Sequence, residues 1–316
     1  MGRFNPRYIL GRIVQAAVVL WAAYTITFVI LEMLPADPVA LIVRAQGGDV
    51  SSLSDGELND IKREYGFDAS PLARYLSMLG AALHGDFGKS YVDGRPVASL
   101  LFENLSSTLE LSILAIVVST VVAFLLAYTS TLAHGTWLHS LLAALPSIGA
   151  SIPSFWVGLL LLQVFSFTLG WLPSMGMDGW QTMVLPVITM SVPTSAMLGK
   201  LLISEFDAVY GSQQVRVAKA HGLGRSFVIW HHIAKNASLP AVTIIGLMIG
   251  EVVTGAIVAE TIFSRQGLGV LIQQSVTNQD IPVVQGAVVL AAGVFVVVNL
   301  IVDLIYPLLD PRITVS

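Results

Sequence analysis

The sequence predicts an all-α integral membrane protein, with six transmembrane helices and a small helical extracytoplasmic insert between the first and second. Three observations carry this. Of 316 residues, 55% are hydrophobic and only 11% are charged, against about a quarter charged in soluble domains. Mean hydropathy is +0.77. Six stretches stay apolar over the roughly 20 residues that a helix needs to cross the hydrocarbon core. Cysteine is absent, which removes disulfides, thiolate chemistry and cysteine-ligated metal. The net charge of −4 points to neither a nucleic-acid partner nor an acidic substrate, because most charges lie outside the spans.

Residues 1–12 read as a basic cytoplasmic N-terminus with Arg3, Arg7 and Arg12, and the first span follows at Ile13–Leu34. That stretch is long and lacks a small-x-small cleavage site, so it reads as a retained helix rather than a signal peptide. Residues 35–108 form the external insert. Within it, Leu53-Ser-Asp-Gly-Glu-Leu-Asn-Asp-Ile-Lys-Arg-Glu-Tyr-Gly66 predicts a helix with Ser54 or Asp55 as N-cap and Gly66 as C-cap. Another helix is expected from Pro71 to Leu83. Residues 109–306 hold the remaining spans: Leu109–Tyr128, Pro146–Leu169, Val184–Ile203, Leu239–Phe263 and Val283–Tyr306. In the third, apolar sequence begins at Leu138, and Pro146 and Pro153 interrupt it. Kinks are expected there, tolerated where neighbouring helices satisfy the freed carbonyls. Residues 307–316 form a short tail.

Orientation follows from basic residues in short loops. Arg3, Arg7 and Arg12 precede the first span. Lys200, Arg216, Lys219, Arg225 and Lys235 are assigned to the segment between spans four and five, and Arg312 to the tail. Six spans place all of these on one side, the cytoplasm. The opposite short loops, Ser174–Met183 and Ser264–Pro282, offer only Arg265. Both termini are therefore expected inside.

The polar stretch at 204–238 stands out in so apolar a chain. It reads Gln214-Val-Arg-Val-Ala-Lys-Ala-His-Gly-Leu-Gly224 and then Ile229-Trp-His-His-Ile-Ala-Lys-Asn-Ala-Ser-Leu-Pro240. Ala218 and Ala220 are small enough for close approach to a partner surface, and Gly222 suits the left-handed residue that ends a helix. Asn236 or Ser238 is placed to cap the next helix, with Pro240 in its first turn. On local physics alone, a solvated basic loop explains the same residues.

A family resemblance separates the two readings. Ala218-Lys-Ala-His-Gly-Leu223, with Pro240 following Asn236-Ala-Ser-Leu, resembles the "EAA" loop of binding-protein-dependent ABC importer permeases, in the form of the dipeptide/oligopeptide/nickel branch. Arg216 stands where that branch commonly replaces the name-giving glutamate. Leu34-Pro-Ala-Asp-Pro-Val39 is similar to the branch's Leu-Pro-Gly-Asp-Pro motif, with Ala36 for glycine. Tyr65-Gly-Phe-Asp, Gly85-Asp-Phe-Gly-Lys-Ser, Arg95-Pro-Val, Thr108-Leu-Glu-Leu, Ile152-Pro-Ser-Phe-Trp-Val-Gly, Trp171-Leu-Pro and Asp310-Pro-Arg follow in the family's order. Each is weak alone; their order and spacing are specific. One departure stands out: Glu260-Thr-Ile-Phe-Ser-Arg-Gln-Gly-Leu-Gly269 has Arg265-Gln266 where the family has Trp-Pro.

The resemblance implies a type I ABC importer permease that moves peptides or a related small solute across a bacterial or archaeal plasma membrane by alternating access. It implies two cytoplasmic ATPase subunits, a second homologous permease on a different chain, and an extracytoplasmic solute-binding protein. ATP and magnesium would sit on the ATPases, with no cofactor, metal or catalytic residue in this chain. The ATPase-coupling residues it implies are Arg216, Val217, Ala218, Lys219, Ala220, His221, Gly222 and Leu223. A separate candidate is Glu251, near the middle of the fifth span. A charge at mid-bilayer costs about 2.5–3.5 kcal/mol on insertion scales, so it must face protein or water, in a translocation pathway or a structural pair. Glu110 and Glu260 are expected near the outer interface, within reach of water.

Several motifs carry no such weight. Gly85-Asp-Phe-Gly-Lys-Ser90 lacks the glycine that a P-loop needs at Leu83. Gly267-Leu-Gly269 lacks the third glycine of a dinucleotide site and reads as a tight turn. His231 and His232 are adjacent, so they point to different faces. A stand-alone secondary transporter or channel is the alternative, and the lack of a second six-span half argues against it. An intramembrane enzyme would need a nucleophile and base at matching depth, and no Ser-His pair is present in the spans.

Overall fold

The computed structural model describes residues 6–33, 38–45 and 47–309. Part of the Leu34–Val39 motif, and all of Asp310-Pro-Arg312, lie outside the described residues. Among those described, regular structure is helical, with one isolated antiparallel bridge between Lys89 and Pro96. Five helices are long and apolar enough to span a membrane: Leu10–Glu32, Val97–Leu132, Gln181–Tyr210, Ile244–Ile262 and Ile281–Val298. A sixth span results if Trp137–Ser151 and Ser154–Thr168, bent by 96° at their junction, count as one.

The bend corrects the expected third span. Helix does not run from Pro146 to Leu169. It breaks at Ile152 and Pro153, both extended at ψ 123° and 134°, because the residue before proline is driven out of the α region. Pro146 stays inside the first arm, buried.

The chain forms two compact units. One contains Thr108–Gln266 and the chain from Val297; the other contains Asn5–Ser107 and Gly267–Val296. In the second unit, α1 (Pro6–Glu32) carries outward apolar side chains such as Ile13, Val18, Ile26 and Ile30, as a lipid-facing helix does. The short α2 (Pro38–Ala45) is followed by α3 (Asp55–Glu64) and α4 (Pro71–Ala82). Ser54 caps α3 with a full capping box: its hydroxyl accepts from Glu57 N–H, and Glu57 accepts from Ser54 N–H at 2.8 Å. Those bonds hold the Glu57 carboxyl below its usual range. Gly66 takes φ +72° just past the helix end.

In the same unit, α12 (Leu268–Thr277) occupies what the sequence presents as a short loop with a tight turn at Gly267–Gly269. It is long enough to bury Leu268 and Gly269. After it, buried Asp280 accepts from the Ser90 hydroxyl at 2.5 Å and from Tyr91 N–H at 3.1 Å. This explains the Gly85–Ser90 motif as a structural turn: Gly85 and Gly88 have φ near +80°, and the segment ends on Asp280. Val97, Leu101, Leu268 and Val283 form the core beneath. A Cβ on Gly286 would lie 2.8 Å from Val97 Cγ1, so only glycine fits there. Gly286 belongs to α13 (Ile281–Leu309).

The other unit holds α5 (Val97–Leu132) from Thr108 onward, α6 (Trp137–Ser151), α7 (Ser154–Leu161) with its π-helical extension Leu162–Thr168, and α8 (Gln181–Tyr210). Leu198, Leu202 and Phe206 recur at helical spacing and are buried. That periodicity continues past Ile203, so α8 runs to Tyr210 and takes Lys200 with it. Lys200, which falls in the expected span Val184–Ile203 yet was also counted among the charges between spans four and five, lies within α8. A Cβ on Gly149 would meet the Ala196 Cβ at 3.0 Å, which lets α6 and α8 pack closely.

Beyond α8 come α9 (Gln213–Ala220), α10 (Arg225–Val228), a π-helical turn Ile229–Ile233 and α11 (Ala234–Ile262). The last three are continuous. Asn236 and Ser238 therefore stand inside a helix rather than capping one, and Pro240 lies within α11 rather than in its first turn. The buried Val228, Ile229 and Ile233 hold the preceding turns in place, so the helix starts at Arg225, well before the proline.

Candidate functional site

The polar stretch builds a small, sharply bounded surface element. Ser212 takes an extended conformation and its hydroxyl accepts from Val215 N–H at 3.5 Å, starting α9. At the other end Gly222 N–H donates to Lys219 C=O at 3.0 Å, and Leu223 N–H donates to Ala218 C=O at 3.3 Å. This is the Schellman pattern, and Gly222 supplies its left-handed residue at φ +77°. A Cβ at Gly222 would meet nothing within 4 Å, so the backbone conformation alone selects glycine.

Two residues anchor α9. Val215 is fully buried and Ala218 nearly so, packed in the cluster with Leu202, Phe206, Val228, Ile229 and Ile233. Ala218 therefore faces this chain's own core. Arg216, Val217, Lys219, Ala220, His221, Gly222 and Leu223 are exposed. Of the cations, Lys219 lies 3.3 Å over the Tyr210 ring. Arg225, which sequence reasoning counted only as loop charge, ties the element down. It donates to the Leu132 and His134 carbonyls at 2.8 Å each and to the Tyr210 hydroxyl at 3.1 Å. Its signal in the sequence, one arginine at a helix start after glycine, does not reveal partners some 90 residues away.

Glu251 lies apart from α9, on α11. It is exposed and lines a groove of about 750 Å³ between α6, α8 and α11. Lys200, Ser204, Thr194 and Met248 line the same groove. The structure thus brings an acidic and a basic side chain to one concave, mainly apolar surface, and sequence reasoning did not single out Lys200 as part of it.

The outer end of α11 is built differently. Glu260 is fully buried, not water-facing, and accepts from the Thr108 hydroxyl at 2.6 Å. Arg265 is buried too, 3.6 Å from Glu110 Oε2, while its Nε and Nη1 meet no acceptor. Ser264 adopts φ +47° and Arg265 N–H donates to Glu260 C=O at 2.9 Å, so the Arg265-Gln266 departure forms a closed turn.

Comparison with known proteins accords with this architecture. Residues 115–315 match the family model of the binding-protein-dependent transport system inner membrane component. The glutathione transport system permease protein GsiC of Escherichia coli K12 is 31% identical over 307 residues, covering 97% of this chain and 98% of the relative. The Shigella flexneri GsiC matches at the same identity and coverage. Among solved structures, a chain of the MetNI methionine ABC transporter in inward-facing conformations superposes with a TM-score of 0.56 at 14% identity. That alignment covers 67% of this chain and 96% of that one. A chain of an amino acid ABC transporter with histidines gives 0.51 at 16% identity, covering 68% and 94%; both likenesses concern the fold. The chain belongs to the inner membrane components of binding-protein-dependent transport systems, and it is the permease subunit of an ABC importer.

Proposed function

We propose that this permease carries peptides or a related small solute, and that α9 is the surface on which a cytoplasmic ATPase subunit docks. The observation that carries the docking reading is the division of α9 into a buried anchor and an exposed crest. Val215 and Ala218 fix it to the chain, while Arg216, Val217, Ala220, His221 and Leu223 face outward. Such an element transmits a push to the core rather than absorbing it. Arg216 offers a charge for an ATPase carboxylate, and Leu223 an apolar contact.

The groove holding Glu251 and Lys200 forms part of the solute path in this reading. A peptide presents one charge of each sign at its termini, and the groove presents both. The GsiC relatives are permeases of glutathione transport systems by name, which supports a peptide-like solute. Two ATPases bind ATP and magnesium, and this chain holds no nucleotide. A second, different permease completes the pathway, a solute-binding protein delivers from outside, and both termini are cytoplasmic. ATP acts as the ligand that favours one of two transmembrane states.

The test is affinity purification of the tagged chain in mild detergent, with partners identified by mass spectrometry. Two ATPases and a second permease are expected. Recovery of a folded chain alone that moves solute without ATP would support a stand-alone transporter and overturn the docking reading.

A further inference from the structure

At the end of the α9-bearing unit, His134, His139 and Asp207 converge. Each is half-buried, and one ligand atom from each lies within 4.8 Å of the others. The three come from separate places: the turn after α5, the first turn of α6 and the last turns of α8. His139 Nδ1 lies 3.0 Å from both the Ser130 carbonyl oxygen and the Ser130 hydroxyl; in the tautomer that donates to the carbonyl, Nδ1 carries the proton. Nε2 of a neutral imidazole then presents a bare lone pair, and it faces Asp207 Oδ2 at 3.5 Å. In that tautomer two acceptors face each other, and a cation between them satisfies both. Asp207 Oδ1 is buried and meets no donor, so the carboxylate is under-satisfied on both oxygens.

We propose that His134, His139 and Asp207 form a binding site for a first-row divalent cation of the zinc class. Zinc at 2.0–2.1 Å from its ligands separates them by about 3.4 Å in a tetrahedron. The His139–Asp207 pair already stands at that spacing, and closing the 4.8 Å limit needs about 1.4 Å of side-chain movement. Ser130 supplies the outer hydrogen bond that fixes a metal-ligating histidine's tautomer. Water completes the fourth position. Two imidazoles and one carboxylate suit zinc, cobalt or nickel rather than magnesium or calcium, which prefer all-oxygen shells. The site departs from the expectation of a metal-free chain, because Asp207 lies 68 residues beyond His139 and two histidines alone do not mark a site in sequence. The nearby charges are Arg225, bonded to the His134 carbonyl, and Lys219, over the Tyr210 ring that stacks on His134. An ion here would pin the α5–α6 turn to α8 and stiffen the platform beneath α9.

The experiment uses the full chain with a tag free of histidine, stripped of metal and held in detergent. Zinc is titrated against a fluorescent chelator, and cobalt is added separately to read visible absorption from its coordination. One zinc per chain is expected. Affinity should fall at least about tenfold, or 1.4 kcal/mol, in His139→Gln and in the nearly isosteric Asp207→Asn. His84→Gln, on an exposed histidine elsewhere, should bind as the parent does. Failure of the parent chain to bind zinc stoichiometrically overturns the site, whatever the variants do. So does equal affinity in parent and Asp207→Asn. A melting temperature that moves with pH but not with zinc would show that a proton alone bridges His139 and Asp207, and would also overturn it.

Discussion

The helices α9 and α11 end in the same backbone turn and put it to opposite uses. In each, the second residue past the cap donates to the carbonyl five residues back, Leu223 to Ala218 and Arg265 to Glu260. In each, the residue between is left-handed: Gly222 at φ +77° and Ser264 at φ +47°. Past α9 the next side chain is exposed, whereas past α11 it is a buried arginine beside a buried glutamate. Backbone hydrogen bonding therefore does not distinguish an exposed crest from a sealed end. Burial of the side chains around the turn does, and it follows from what packs against each turn.

The largest effect is expected from Gly222→Val. A β-branched residue at φ +77° pays roughly 1–2 kcal/mol for the left-handed conformation, and the crest would be redirected rather than buried. Solute uptake by the assembled transporter should fall at least about tenfold while membrane insertion stays normal, and Gly222→Asn, which tolerates that conformation, should retain most uptake. Full uptake by the valine variant in reconstituted vesicles would sink the docking role. Next comes the sealed end. Glu260→Ala removes the acceptor of the buried Thr108 hydroxyl and should lower stability by about 1–3 kcal/mol, read as a fall in melting temperature. Arg265→Met should cost little or nothing, since it removes two buried donors that lack acceptors. If Arg265→Met costs as much as Glu260→Ala, the Glu110 contact matters as much as the Thr108 bond.

Ser264→Gly should raise stability by about 0.5–1 kcal/mol, the left-handed strain of serine less the chain entropy of glycine. The same change tests whether the two turns are alike, because a loss would mean that the serine side chain matters more than its backbone. Smallest is Arg216→Glu. An exposed charge pair is worth about 0.2–1 kcal/mol, so ATPase binding should weaken about two- to fivefold, and the difference should shrink as salt rises. Unchanged co-purification at low salt would remove Arg216 from the contact.

Much of the helical architecture is legible in the sequence, because long apolar runs admit few other structures in a bilayer. Gly222 was legible as well: a glycine after a polar helix has few roles. What escaped depended on distant partners. Ala218 and Ala220 look alike in sequence, yet only Ala218 is buried in the core cluster. Glu260 reads as an interfacial acid until Thr108, 152 residues earlier, is seen to donate to it. Lys200 was counted with the loop charges as well as in the fourth span, and its place beside the α8–α11 groove depends on how α8 is turned. The break at Pro153 was visible as a proline, but its 96° angle was not, since the angle is set by what the two arms pack against.

The unbroken run from Arg225 to Ile262 has a mechanical consequence. At 1.5 Å per residue, Glu251 stands on the order of 40 Å from Arg225 along this rod. A tilt of about 5° imposed at the Arg225 end sweeps the far end through roughly 3 Å. That travel approaches the diameter of a water molecule, so α11 works as a lever arm. Its fulcrum is the wide π-helical turn at Ile229–Ile233, seated on buried Ile229 and Ile233.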